Sequence, residues 1–396
     1  MRVQLVDPPA YTPPYDHALA AALARAGAQV ELVTSRFAYG DVPAADGYIV
    51  SERFYRSAVG APASRLRRAS KLAAHVPDML VWRHDAQRHA DVVHLQWLTV
   101  PWLDGWLLPD RPLVLTAHDL LPREPRPGQV AAQRRLLARM DAVVVHSRYG
   151  AAQLVDRAGV PAEKVTVIPH GAFDRLARIP PAPLPEDLAA VTGPVVLFFG
   201  LLRPYKGVDV LLEAWRGVRG GQRADGVRGG GGAERADGVR GGGGAERVGG
   251  PELWIVGRPR MDIAPLRAAA GPGVRFVPRF VPDAELAALF RRADIVVLPY
   301  ARTERFDQSG VLATALAFGT PAVVTDIGGF GEVAAAGAAR LVAPGDPAAL
   351  GAALSELVAD PRARAALAAG ARAAAAGPYS WDTAARETLA LYRRLV

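Results

Sequence analysis

Six short runs of β-forming residues, over 2–6, 29–34, 92–95, 113–116, 142–145 and 165–168, alternate with helical patterns such as 16–26, 129–139 and 149–158. Strands this short and this apolar, joined through helical stretches, imply a parallel sheet with helices on both faces. The alternation breaks at 179–194, where Pro180, Pro181, Pro183, Pro185 and Pro194 read as an interdomain linker. It then resumes with runs over 195–199, 253–256, 274–277, 295–298, 322–325 and 340–342. A chain of 396 residues exceeds what one core usually organises. The expectation is therefore two α/β domains, 1–178 and 195–378, separated by a linker over 179–194. Two such sheets facing each other place a ligand cleft at the carboxyl ends of their strands. The last amphipathic segment, 379–396, has aromatic anchors in Trp381 and Tyr392 and is expected to pack across the domains.

One segment lies outside this plan. Residues 223–234 (RADGVRGGGGAE) recur unchanged at 235–246. A glycine-rich duplication buries too little apolar area to offset its ordering entropy, so 217–250 is expected to be a disordered surface insertion. Its acidic residues Asp225, Glu234, Asp237 and Glu246 dilute the arginines, which argues against a nucleic-acid-binding tail.

The formal net charge of +8 admits nucleic acid, an anionic membrane surface or a phosphorylated substrate as partner. Cysteine is absent, which excludes disulfides and thiolate metal sites and makes a cytoplasmic location the expectation. No apolar run is long enough to span a bilayer, and the apolar start is halted by Asp7, Pro8 and Pro9. Arg53, Arg56, Arg65, Arg67, Arg68 and Lys71, interleaved with Phe54, Tyr55 and Leu66, have the pattern of either a solvated basic face or a basic face for anionic lipid. The apolar residues Trp97, Leu98, Trp102, Leu103, Trp106 and Leu107 either join that face to dock a lipid-linked acceptor or belong to the core.

Two segments carry the chemistry. Residues 197–207 read LFFGLLRPYKG: an apolar strand breaks at Gly200, and Arg203 and Lys206 follow before a helix opens beyond Gly207. A guanidinium and an ammonium at that spacing can converge on one pyrophosphate. Residues 309–329 read SGVLATALAFGTPAVVTDIGG, in which Ser309, Gly310 and Val311 open a helix with free backbone N–H groups. Gly319 and Pro321 are explained by tight helix-to-strand packing. No G-x-G-x-x-G turn follows the first strand, so a dinucleotide oxidoreductase is set aside.

The ordered set FFGLLRPYKG, LWIVG (253–257), VRFVPRFVPDAEL (274–286), ADIVVLPY (293–300) and SGVLATALAFGTPAVVTDIGG resembles the donor-binding domain of family 4 retaining glycosyltransferases of the GT-B fold. The resemblance extends through VDPP at the start, HLQW (94–97), LTAHD (115–119), VVHSRYGAAQL (144–154) and IPHG (168–171), and covers the chain except the glycine repeat. It implies two Rossmann-like domains facing across a cleft, with a C-terminal helix crossing back. It also implies transfer of a sugar from a nucleotide diphosphate sugar, with retention and with no cofactor or obligatory metal. The acceptor would be a glycan or a lipid-linked group in cell-surface polysaccharide or glycolipid synthesis, with the protein peripheral on the inner membrane face. A non-catalytic sugar-nucleotide-binding subunit is the alternative.

In that frame Arg203 and Lys206 neutralise the departing diphosphate and Gly200 lets the backbone approach it. His118 and Asp119 face the sugar and acceptor, and His170 lies near the hinge as either a ligand contact or a structural residue. The family carries two glutamates eight positions apart, where this chain has Phe306 and Thr314, so the carboxylate that would grip the nucleotide ribose is missing at Thr314; Glu304 and Asp307, with Gln308, lie close to the first position and could substitute in holding the donor. The first loop has Pro8, Pro9, Pro13 and Pro14 in place of glycines, and its Tyr11 and Tyr15 are expected to stack on an acceptor sugar.

Overall fold

The computed structural model describes residues 1–38, 40–61, 64–120, 127–227, 249–303 and 307–396, with the backbone alone for 219–227. Two compact units emerge. The first comprises 1–173, 303–313 and 375–396, and the second 174–302 and 314–374.

The first unit is built on seven parallel strands: β1 (Arg2–Asp7), β2 (Gln29–Ser35), β3 (Ile49–Phe54), β4 (Val92–Leu95), β5 (Leu113–Thr116), β6 (Ala142–Val145) and β7 (Val165–Val167), in the order β3-β2-β1-β4-β5-β6-β7. Strands β4, β5 and β6 are buried at every residue, which is why they read as unbroken apolar runs. β3 escaped the sequence reading because it is an edge strand whose polar Ser51, Glu52 and Arg53 blunt it.

Five helices of this unit matter below: α1 (Pro13–Arg25), α2 (Arg65–His89), α3 (Pro101–Leu107), α4 (Gln129–Arg139) and α5 (Arg148–Gln153). α2 opens on Ser64, whose hydroxyl accepts from Arg67 N–H. Arg53 is not part of a free basic face: its guanidinium bridges Glu31 and Asp85 at 2.7 and 2.8 Å. The C-terminal helix Trp381–Leu395 sends Trp381, Ala385, Leu389 and Tyr392 into the first unit's core beside Leu19 and Leu23. A Cβ on Gly171 would lie 2.4 Å from the Trp381 indole, so only glycine admits this close approach.

The second unit has six parallel strands: β8 (Val195–Phe199), β9 (Glu252–Val256), β10 (Val274–Val277), β11 (Ile295–Leu298), β12 (Ala322–Thr325) and β13 (Ala339–Val342), in the order β10-β9-β8-β11-β12-β13. The order reverses between β1 and β4 in one sheet and between β8 and β11 in the other, the doubly wound pattern that opens a crevice at the carboxyl ends of those strands. The proline-rich segment expected as a linker falls within the second unit, where Ala182 N–H donates to Ala284 C=O and Leu188 is buried. Of the segment 217–250, residues 217–227 continue the helix Val208–Val227, and 228–248 lie outside the described residues.

Candidate active site

In the second unit β8 ends at Gly200, whose N–H donates to Val256 C=O and whose φ of +122° lies in the range glycine tolerates. The chain then makes a short turn over Pro204–Lys206 and enters a helix through Gly207. Gly207 has φ +67°, and a Cβ there would stand 1.9 Å from Pro299 C=O. Backbone sterics therefore press this turn against the end of β11, across the switch point.

Lys206 is 8% exposed. Its ammonium donates to Tyr300 Oη and lies 3.9 Å from that ring's centroid. Tyr300 is fully buried, and Thr325 Oγ1 donates to its backbone carbonyl at 2.8 Å. The lysine head is thus fixed by a rigid aromatic. Arg203 is half-buried, and its Nε is a buried donor with no hydrogen-bond partner among the described residues. A buried N–H of a charged group costs free energy until an acceptor reaches it, so this donor is left open to one. Tyr300 was legible only as part of a strand motif; its role depends on burial beside residues nearly a hundred positions away.

In the first unit, residues just past the carboxyl ends of β4 to β7 gather around Tyr15. The Tyr15 ring meets His118 at 4.6 Å, His170 at 5.1 Å, His146 at 5.4 Å and Trp381 at 5.0 Å. His118 stacks on Trp97 at 5.3 Å, and its Nε2 is 3.1 Å from Gln96 Oε1. The Gln96 amide nitrogen has no partner among the described residues. His146 Nδ1 donates to Ile168 C=O at 3.0 Å, which leaves Nε2 as a buried lone pair with no partner among them. Burial pushes His146 down to about 4 and His170 down to about 3, and holds His118 well below the usual imidazole range. Desolvation is the leading cause in each. The rim is therefore a set of neutral imidazoles.

Beside it, Asp7 at the end of β1 accepts from Tyr11 N–H at 2.6 Å and Thr12 N–H at 3.2 Å. Its buried neighbour Asp16 of α1 accepts from Thr12 Oγ1 at 3.3 Å. Burial, then repulsion from Asp7, raises Asp16 well above the usual carboxyl range. Tyr11 is 65% exposed with its ring 4.6 Å from Trp97, whereas Tyr15 is buried and shows little surface for stacking. Asp119 is half-buried next to His118.

The residues expected to hold the donor divide between the units. Asp307, Gln308, Ser309, Gly310 and Val311 fall in the first, and Thr314 in the second, buried. Asp307 is fully buried; its carboxylate accepts from His146 N–H at 2.7 Å and from Ser147 Oγ, the N-cap of α5. A Cβ on Gly150 would lie 2.9 Å from that carboxyl. Asp307 is thus engaged with the start of α5, where negative charge is favoured. Ser309 Oγ accepts from Val311 N–H at 3.2 Å. Glu304 and Phe306 lie outside the described residues. Among the described residues no group of three or more acidic or histidine side chains is arranged to hold a metal ion.

Residues 193–360 match the family model described as "Glycosyl transferases group 1", and residues 15–172 the model described as "Glycosyltransferase Family 4". A D-inositol 3-phosphate glycosyltransferase from Kineococcus radiotolerans is 31% identical over 419 residues, covering 96% of this chain and 89% of that protein. One from Rhodococcus opacus is 30% identical, covering 94% and 82%. Among solved structures, sucrose-phosphate synthase from Thermosynechococcus elongatus aligns with a TM-score of 0.71 at 19% identity, covering 100% of this chain and 99% of that one. Anabaena HepE in complex with UDP-glucose aligns with a TM-score of 0.66 at 19% identity, covering 100% of both. These structural likenesses show the fold, the two-unit GT-B plan.

Proposed function

Because the chain belongs to glycosyltransferase family 4, we propose that it transfers a sugar from a nucleotide diphosphate sugar to a hydroxyl acceptor, with retention at the anomeric carbon. The observation that carries this reading is the cation pair beyond β8: a guanidinium with an unsatisfied buried N–H, and an ammonium fixed on Tyr300. As the bond from the sugar to the diphosphate breaks, negative charge grows on the leaving oxygens. Preorganised cations aimed there stabilise the transition state more than the ground state. Arg203 and Lys206 supply in side chains the charge that other enzymes draw from a metal, which is the basis for proposing metal-independent transfer.

The first unit's rim suits the other reactant. Neutral imidazoles, the Gln96 amide and the indole of Trp97 offer hydrogen bonds and an apolar wall to sugar hydroxyls without a fixed charge. His118 and Asp119 contact the sugar and the acceptor in this reading. The acceptor is a glycan or a lipid-linked group in cell-surface polysaccharide or glycolipid synthesis, and the relatives' name places a phosphorylated cyclitol among the candidates to try. The protein works in the cytoplasm at the inner membrane face.

The test is a transfer assay with a panel of nucleotide diphosphate sugars, preceded by a thermal-shift screen in which a bound donor raises the melting temperature. Product with the donor's anomeric configuration and unchanged rates in EDTA is the expected result. An inverted product overturns retention, and loss of turnover in EDTA overturns metal independence. Donor binding without hydrolysis or transfer to any acceptor establishes the non-catalytic alternative.

A further inference from the structure

Most of the apolar residues expected near the β4 end are packed away. Leu107 is buried, Leu98 and Leu103 pack against the core, and Trp97 Nε1 donates to Thr12 Oγ1 at 2.9 Å. Trp102 and Trp106 are not: they are 67% and 78% exposed, four residues apart on α3. Two neighbouring tryptophans left in water are costly, and an exposed aromatic patch of this kind marks a docking surface.

The surroundings say what docks. Between α3 and α4 lies a groove of about 260 Å3, floored by Leu136 and lined by both tryptophans, Arg135 and Arg139. α4 carries Arg134, Arg135 and Arg139 and no acidic residue, and no carboxylate is among the described residues lining the groove. On the other side α2 packs against α3, and its Arg83 Nη1 donates to Trp106 C=O at 3.5 Å. Leu80, one helical turn before Arg83 on α2, is 48% exposed. An aromatic pair flanked by guanidiniums on both sides is what a lipid–water interface selects: indoles sit at headgroup depth while arginines meet phosphates.

We propose that the α2–α3–α4 face of the first unit docks on an anionic phospholipid bilayer, with Trp102 and Trp106 as interfacial anchors and Arg83, Arg135 and Arg139 on lipid phosphate. The proposal deepens the reading of an enzyme at a membrane face by naming the surface. It differs from the sequence expectation, which placed the basic contact at 53–71; Arg53 is withdrawn into its ion pairs with Glu31 and Asp85.

The test is flotation of the full chain with phosphatidylcholine vesicles, with and without phosphatidylglycerol, and with no donor or acceptor present. Its failure is thereby read separately from failure of transfer activity. Binding is expected only to the anionic vesicles at low salt, weakening as salt rises, with a blue shift of tryptophan emission. Trp102→Ala with Trp106→Ala should weaken binding about tenfold or more and remove most of the blue shift, and Arg135→Gln or Arg139→Gln about fivefold each. All these side chains are on the surface, so circular dichroism should be unchanged. Absence of wild-type binding at low salt overturns the proposal, as does unchanged binding of the tryptophan double variant. A wild-type dimer in sedimentation that the double variant dissociates, without vesicle binding, assigns the face to a second copy and overturns it as well.

Discussion

Six of the first unit's seven strands follow the same order as the second unit's six, and the corresponding rims hold opposite chemistry. Past β8 and β11 the second unit places Arg203 and Lys206 among glycines and a buried tyrosine. Past β4 to β7 the first unit places imidazoles kept neutral by burial, with a carboxyl that burial and Asp7 push upward near by. All eight histidines of the chain fall between residues 17 and 170. The doubly wound topology supplies a crevice in both cases, and the rim side chains give it a cationic character in one and a neutral one in the other.

The comparison breaks most easily at the cations. Arg203→Ala and Lys206→Ala should each lower kcat/KM by about 30-fold to several thousand-fold, corresponding to roughly 2 to 5 kcal/mol of transition-state stabilisation. The larger share should fall on kcat if the charge acts on the leaving group. Wild-type kinetics in both variants would remove the anion role from this rim. Next in size is the turn that holds them. Gly207→Ala forces a side chain into φ +67° and against Pro299 C=O, and should destabilise the second unit by about 3 kcal/mol in urea unfolding. A neutral result would mean that the turn relaxes without holding Lys206 on Tyr300.

How far this contrast was legible differs between the rims. The LFFGLLRPYKG segment exposed the cations because strand, glycine, charges and helix are contiguous, so local spacing was enough. β11 and β12 coincide with their sequence-predicted spans because buried parallel strands are apolar throughout. His146, Gln96 and the Asp7–Asp16 pair were not singled out as site residues. Each is ordinary in its own segment, and its character comes from neighbours brought in by other strands and from the water that burial removes. Tyr15 was expected as a stacking platform from its position in the loop, but α1 begins at Pro13 and turns its ring inward, where it becomes the hub of the histidines.

The histidines give the first unit an acid sensitivity that the second lacks. His94 and His170 are pushed down to about 3 and His146 to about 4, against 6.5 for a free imidazole. A depressed folded value contributes stability above the unfolded value and loses it as pH falls towards the folded one. At about pH 5 each such histidine should therefore cost the first unit about 2 kcal/mol relative to pH 7. Hydrogen exchange followed from pH 7 down to pH 5 should show protection lost in β4 to β7 before β8 to β12. Simultaneous loss in both units would contradict the contrast.

Asp16 acts in the opposite direction and isolates the other part of the same rim. Its folded value is raised, so the stability it contributes is complete below the unfolded value of 3.8 and is lost as pH rises through the folded value. In Asp16→Asn a neutral amide of nearly the same shape replaces the carboxyl and takes up no proton on folding. The variant should match wild type near pH 4 and then gain on it by up to about 1.4 kcal/mol per pH unit until the folded value of Asp16 is passed. Urea unfolding of both proteins across this range measures the gap. A gap that stays constant with pH would show that Asp16 is ionised in the folded protein. The first rim would then carry fixed negative charge, and its contrast with the cationic rim would be one of sign.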